Sequence, residues 1–391
     1  MDRRLLVLAL GMFALGTDSF VVAGILPQLA SSYGVGIGAA GQMTTTYAIA
    51  YALLAPTIAA LAAAVPRKRL MLAGLSIFVA ANLGTAWAPT FGLALLTRVL
   101  AGLGAAMFSP TATGAGTMLV PPERRGWALS IVVAGLTAAT ALGSPIGALI
   151  GGLGDWRWTM GFVSLLGAVA GVGVWILLPE LPLPPAVTLR QRLAPLADRR
   201  VGLTLATTML AMSGLFTVYT YFSVVFKPVI GGSAAMLGTL LVIWGAAGTA
   251  TNLVAGRLID TVGSRKVLLS MLTVLVIDIA VFPWTTGNPW TAALAIAIWG
   301  GAGWGVLVPQ QHRLVTMAPA IAPVLLGLNT ACTYIGVSAA GVIGAGTIAA
   351  AGAQYLEYVA AALLAVALVV AELAARRIAA VSRRRPTPAA V

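Results

Sequence analysis

The sequence predicts an all-α membrane protein of twelve transmembrane helices, arranged as two pseudo-symmetric six-helix bundles. Three observations carry that expectation. Of 391 residues, 60% are hydrophobic and 8% charged, against about a quarter charged in soluble domains. Apolar runs of roughly 20 residues recur along the chain, each long enough to cross a ~30 Å hydrocarbon core. Short motifs also repeat about half a chain apart, which argues for duplication.

The apolar runs place spans near 5–29, 39–64, 69–88, 91–118, 126–152, 158–179, 201–226, 235–259, 267–286, 290–312, 323–348 and 355–375. The first follows Met-Asp-Arg-Arg and mimics a signal peptide. It is long, carries Asp18 and Pro27 and shows no convincing cleavage site, so it reads as a helix. Lys and Arg fall almost entirely in alternate connections. Arg157 and Lys227 lie on the other side and Arg98 lies within a span, which leaves 20 of 23 on one side. By the positive-inside rule that side is cytoplasmic and holds both termini. Because the basic residues sit in short loops between spans, the pI of about 10.9 argues for lipid contact and against nucleic acid.

The longest polar connection, ELPLPPAVTLRQRLAPLADRR, divides the chain into a first bundle (1–179), a linker (180–200), a second bundle (201–375) and a tail (376–391). PRKRLML at 66–72 and GSRKVLL at 263–269 are 197 residues apart, and GSPIGALIG at 143–151 and GVSAAGVIG at 336–344 are 193 apart. Paired halves around a midplane site are the plan of a large class of secondary transporters. Absences narrow the class further. The three lysines, Lys68, Lys227 and Lys266, lie outside any G-x-x-x-x-G-K-[ST] loop. One histidine, His312, and one cysteine, Cys332, leave no metal cluster and no nucleophilic pair. The expectation is a non-enzyme without cofactors, in which an ion gradient drives any uphill movement.

Several motifs make a resemblance specific. GRLIDTVGSRK (256–266) resembles the signature loop of the major facilitator superfamily, with Gly256, Asp260, Gly263 and Arg265 in place. RVLAGLGAA (98–106) resembles its fourth-helix arginine motif, and ALGSPIGALIGG (141–152) its fifth-helix antiporter motif. GTDSFVVAGILPQLA and GDWRW are similar to the twelve-helix drug/proton antiporter branch, nearest to chloramphenicol exporters and sugar-efflux proteins. The resemblance implies that Asp260 meets the start of the fifth helix near Gly126 and locks one state of a transport cycle. A carboxylate at a helix N-terminus is worth about 0.3–1 kcal/mol. The first-half copy departs from the pattern, with Ala59, Ala63 and Pro66 where Gly256, Asp260 and Gly263 stand. No gating role passes to Ala63.

In the fifth helix, Gly143, Gly147 and Gly151 recur every four residues with Pro145 between them, a spacing that lets helices approach and slide. Asp18 lies thirteen residues past Leu5, ~20 Å along the helix. Arg98 enters from the opposite side, seven residues past Phe91, ~10 Å deep. The two therefore share a depth in the membrane. A carboxylate buried in hydrocarbon is penalised when charged and alone, so its proton occupancy depends on whether Arg98 is close. Asp18 and Arg98 are the expected proton-coupling pair, with a static ion pair as the alternative. Asp278, without a basic residue at its depth, is the rival proton site and reads better as a packing residue. Glu357 and Glu372, near span ends, are expected to reach water.

Candidate substrate contacts are the polar and aromatic residues within spans: Gln42, Tyr47 and Tyr51; Phe216, Tyr219, Thr220 and Ser223; Trp299, Trp304, Gln310 and Gln311; Asn329 and Tyr334. Trp299 with Gln310, and Trp304 with Gln311, are expected to share faces of the tenth helix. A mostly apolar, aromatic pocket with a few amides suits a small amphipathic ligand. The resemblance implies export of a small lipophilic, chloramphenicol-like drug against protons; the expected setting is a monomer in a bacterial inner membrane. Efflux of a sugar or nucleoside, an uncoupled facilitator and a non-transporting membrane sensor remain open at this point.

Overall fold

The computed structural model describes residues 2–183 and 187–384, with side chains through Ala380 in the last helix. Residues 184–186 of the expected linker and 385–391 of the expected tail lie outside the described residues. Among the described residues the chain is all-helical, and twelve helices are long and apolar enough to cross a membrane. The first six are Arg3–Tyr33, Ile37–Leu61, Arg67–Trp87, Phe91–Met118, Pro122–Leu153 and Trp156–Leu177. The second six are Arg199–Thr220, Ala234–Val262, Ser264–Thr285, Pro289–Met317, Pro319–Ala350 and Ala353–Ala380. The twelfth differs from expectation at its end: the helix runs on to Arg384, into the expected tail. Ala, Glu, Leu and Arg there are strong helix formers, and the first breaker, Pro386, comes later.

Each half packs internally. The first helix rests on the fifth and sixth, and the fourth on the second and third. In the second half the seventh rests on the eleventh and twelfth, and the tenth on the eighth and ninth. Glycines set the closest approaches, and they do so twice. Gly102 lies against the Tyr47 carbonyl, where a Cβ would come within 2.6 Å, and Gly300 lies still more tightly against the Trp244 carbonyl. Gly135 against the Ala9 carbonyl is matched by Gly336 against the Met209 carbonyl. The paired positions are 197 to 201 residues apart, so the sequence repeat is also a repeat of helix contacts.

Between the halves, the second helix packs on the eleventh and the fifth on the eighth, while the first touches the seventh. The fifth helix is sandwiched. Gly143, Gly147 and Gly151 receive Thr17, Val21 and Ile25 of the first helix, and Gly245 and Gly238 of the eighth receive Thr140 and Leu149. A π-turn over Ala139–Gly143 precedes Pro145. Proline at that point removes one ladder hydrogen bond and crowds the preceding turn, and the wider turn absorbs both effects.

Hydrogen bonds that join the halves gather toward one end. Gln42 donates to the Gly341 carbonyl at 3.2 Å, and the Tyr221 hydroxyl, which donates to Gly341 of its own half at 2.8 Å, also lies 3.4 Å from the Gly38 carbonyl. Deeper in, Ser144 lies 3.3 Å from the Tyr219 hydroxyl. At the opposite, basic end the linker supplies one contact, Arg192 to the Ala59 carbonyl at 3.2 Å. A short linker helix, Leu189–Leu193, starts with a capping box between Thr188 and Gln191. Asp198 then caps the seventh helix, and its bonds to Arg200 hold its carboxyl below the usual carboxylate range.

Candidate functional site

The middle of the first helix carries the most unusual chemistry in the molecule. Thr17, Asp18 and Ser19 are all buried in a helix whose other buried residues are apolar or glycine. Arg98 of the fourth helix places Nη1 2.6 Å from Asp18 Oδ1, and both residues are 0% exposed. Four further contacts fix the guanidinium, one of them from Nη2 to the Asp18 carbonyl at 3.5 Å. Nη1 also donates to Asn82 Oδ1 at 3.1 Å, and Nε to the Met43 carbonyl at 3.4 Å. The Tyr47 ring lies 4.8 Å from the guanidinium carbon, a cation–π contact that strengthens when desolvated. Asp18 Oδ2 is buried and has no hydrogen-bond partner.

A charge pair removed from water is held only if its remaining polar groups are satisfied. Here the arginine side is well supplied and the carboxylate side is not. The unpartnered oxygen is a position that a proton, or a donor on a bound molecule, would complete. Depth reasoning brought Asp18 and Arg98 together; Asn82 it missed. A signal was present, because Asn82 lies five residues before Trp87, ~8 Å from the same end as Arg98.

Two aromatic groups carry this centre to the second half. Ser19 Oγ lies 3.2 Å from the Tyr47 hydroxyl. Tyr47 and Tyr51 both meet Tyr334 of the eleventh helix, at ring separations of 6.4 and 4.1 Å. Tyr51 donates to Ser109 Oγ at 3.2 Å. On the other side of the first helix, Phe20 reaches into the second half. Its ring packs on Phe216 at 6.0 Å, Tyr219 at 5.9 Å and Trp304 at 5.7 Å. Its carbonyl lies 3.2 Å from the hydroxyls of both Ser144 and Tyr219. Phe20 and Trp244 were not singled out by sequence, since an aromatic in an apolar run carries no pattern of its own.

The remaining candidates separate by location. Gln42 belongs to the contact between halves, not to an interior wall. Trp299 is fully buried among Phe222, Phe226, Phe282 and Trp244 of its own half, so its place is core packing. Gln310 donates to the Thr204 carbonyl at 2.7 Å and to Thr208 at 3.1 Å, and Thr208 donates to Asn329 at 2.8 Å. Gln310 Oε1 stays buried without a partner, as do the hydroxyls of Thr220 and Ser223. Gln311 and His312 are exposed. Of the pairs expected to share faces of the tenth helix, Trp299 and Gln310 are both fully buried, whereas Trp304 is buried and Gln311 exposed. Val306, between the two segments of the helix, keeps helical backbone angles just before Pro309.

Asp260 makes no bond to the start of the fifth helix in this conformation. Asp260 is exposed and makes no hydrogen bond or ion pair with any described residue. A Cβ at Gly126 or Gly256 would meet open space. Arg265 pairs instead with Glu372 at 2.6 Å. Gly263, with φ 86°, turns the chain between the eighth and ninth helices, a conformation that favours glycine. Asp278 is 8% exposed, with Oδ2 unpartnered. The expectation for Glu357 is corrected. It is 6% exposed with Oε2 unpartnered, because it lies on the face its helix buries with Leu356, Ala360 and Leu364.

Residues 8–320 match the Major Facilitator Superfamily. The chloramphenicol resistance protein of Streptomyces lividans is 34% identical over 66% of this chain and 67% of its own length. A probable sugar efflux transporter of Helicobacter pylori (strain G27) is 27% identical over 93% of both chains. A crystal structure of the nucleoside transporter NupG superposes with a TM-score of 0.78 at 13% identity, covering 95% of this chain and 98% of that one. The twelve-helix fold with its paired halves and the family match agree along the length of the chain: it is a multi-pass membrane transporter, not an enzyme, and it belongs to the Major Facilitator Superfamily.

Proposed function

We propose that the protein exports a small lipophilic, chloramphenicol-like molecule in exchange for protons, with Asp18 as the proton carrier. The observation that carries this reading is the buried Asp18–Arg98 pair with one carboxylate oxygen unpartnered. Ionisable residues at mid-membrane are costly, and functional by default. The likeness to a chloramphenicol resistance protein supports the substrate class.

In this reading the basic end is cytoplasmic, in a bacterial inner membrane, and the protein works as a monomer. The bonds between halves lie toward the other end, so the conformation is inward-facing, and the ion pair is the state after proton release. Proton binding at Asp18 weakens its hold on Arg98. Substrate, bound between Phe20, Trp304 and the Tyr47–Tyr51–Tyr334 group, favours release of that proton. A ligand shifts the cycle only by binding one state better than the other. Asp260 acts in the opposite state, against the start of the fifth helix.

A second reading keeps the machinery and changes the cargo to a sugar or nucleoside. The relative described as a probable sugar efflux transporter supports it, as does the amide and hydroxyl set of Gln310, Thr208 and Asn329. Uptake of labelled chloramphenicol into everted vesicles under an imposed pH gradient, competed with sugars and nucleosides, separates the two. Gradient-driven uptake that only lipophilic drugs compete supports drug export. Uptake that sugars or nucleosides block moves the assignment to them.

A further inference from the structure

At the basic end of the second half, an arginine is buried without a partner. Arg313, in the tenth helix, is 6% exposed, and both Nη1 and Nη2 are buried with no acceptor. It lies within electrostatic reach of Arg265 on the ninth helix and Glu372 on the twelfth. Glu372 is the carboxylate that would be expected to answer it, but its oxygens are already engaged. Arg265 contacts both, at 2.6 and 3.2 Å, and Arg376 contacts Oε1 at 2.9 Å. Two guanidiniums thus bond one carboxylate, and a third, more buried, lies within its electrostatic reach without a hydrogen-bond acceptor of its own. Asp260, at the end of the eighth helix, makes no ion pair with it.

The site is graded from wet to dry. The side chains of Arg376 and Arg265 are 72% and 54% exposed and that of Glu372 25%, while Arg313 is buried. Arg313 lies four residues before the end of its helix at Met317, ~6 Å along the axis, a depth suited to lipid headgroups. Arg265 is the second residue of the ninth helix, which starts behind Gly263 without a side-chain cap. Its first-turn amides add positive potential at the same end.

We propose that Arg313, Arg265 and Arg376 form a binding site for a phosphate oxyanion, presented by the headgroup of an anionic phospholipid in the leaflet at the basic end. Phosphate oxygens match the planar donors of a guanidinium in pairs, and basic pockets between helices on this side take such headgroups. The bound phosphate supplies the acceptor that Nη1 and Nη2 of Arg313 lack, and balances the excess of arginine. The site is separate from the Asp18 centre and does not depend on which substrate is carried.

The test uses the full-length protein, delipidated in a neutral detergent. Its thermal midpoint is measured against added phosphatidylglycerol, phosphatidylcholine and inorganic phosphate. The proposal expects phosphatidylglycerol to raise the midpoint and phosphatidylcholine to leave it unchanged. Arg313→Gln should weaken the apparent phosphatidylglycerol affinity about tenfold, as for loss of a charge-assisted contact. Arg376→Gln, at an exposed position, should weaken it severalfold in a protein that folds normally, which keeps the test decisive if Arg313→Gln does not fold. An equal rise with inorganic phosphate supports the oxyanion site and assigns it to a free anion. Equal response to the two lipids, or selectivity unchanged in Arg376→Gln, overturns the proposal.

Discussion

Arg98 Nη1 sits 2.6 Å from Asp18 Oδ1 in a fully buried ion pair, yet Asp18 Oδ2 has no hydrogen-bond partner. The proposed exchange of this pair for a proton rests on that asymmetry, since a half-satisfied polar group in a low dielectric is costly.

The first prediction concerns the energy of that pair. Asp18→Asn or Arg98→Gln alone leaves a buried group uncompensated and should cost about 3–5 kcal/mol. The double variant should lose less than the sum, because neither charge is then stranded. A double-mutant cycle on unfolding in detergent reads the coupling, and strict additivity would argue against an energetically linked pair.

Asn82 tests whether Arg98 must be positioned as well as charged. Asn82→Ala removes one hydrogen bond to a charged group, worth about 1.5–3 kcal/mol. It should alter the pH profile of transport while leaving substrate affinity at fixed pH nearly unchanged. Asn82→Gln should restore part of the profile. An unaltered profile in the alanine variant would reduce Asn82 to packing.

The fifth helix offers a steric test. Gly147 faces Val21 and Thr159, with no room for a side chain. Gly147→Val should cost about 1–3 kcal/mol by overpacking and slow transport, because the first helix, which carries Asp18, can no longer rest on the fifth. Gly161 faces open space, and Gly161→Val is the matched control. Equal transport by the two variants would remove the close packing from the account.

Asp260 should separate stability from function. It is exposed and unpaired here, so Asp260→Asn should change stability by no more than about 0.5 kcal/mol. If Asp260 acts in the opposite conformation, as proposed, transport should still fall. Flux by the variant equal to wild type contradicts the gating role.

Trp299 and Trp304 should behave differently although both were read as cavity residues. Trp299→Ala removes a core side chain and should cost about 3–5 kcal/mol. Trp304→Ala, at the Phe20 contact, should change the order of competing substrates more than stability. Melting curves paired with a competition panel distinguish them.

Much of this was legible from composition and depth. The twelve spans followed from apolar length alone. Asp18 and Arg98 could be matched because helix rise converts sequence distance into depth. What depth does not give is azimuth. Trp304 and Gln311 are expected on one face of the tenth helix, yet Trp304 is buried and Gln311 exposed. Glu357 was judged by its distance from a span end, whereas its burial depends on which way the twelfth helix faces. Asp260 shows a third limit: a sequence describes every state of a cycle at once, and one conformation displays the contacts of one state.

The most direct test of the central claim compares wild type with Asp18→Asn in everted vesicles, at matched expression, measuring substrate accumulation under an imposed pH gradient beside substrate binding without one. The account predicts that Asp18→Asn binds substrate but no longer accumulates it in response to the gradient. Gradient-driven accumulation that survives the substitution would contradict the claim and make Asp278 the leading proton site.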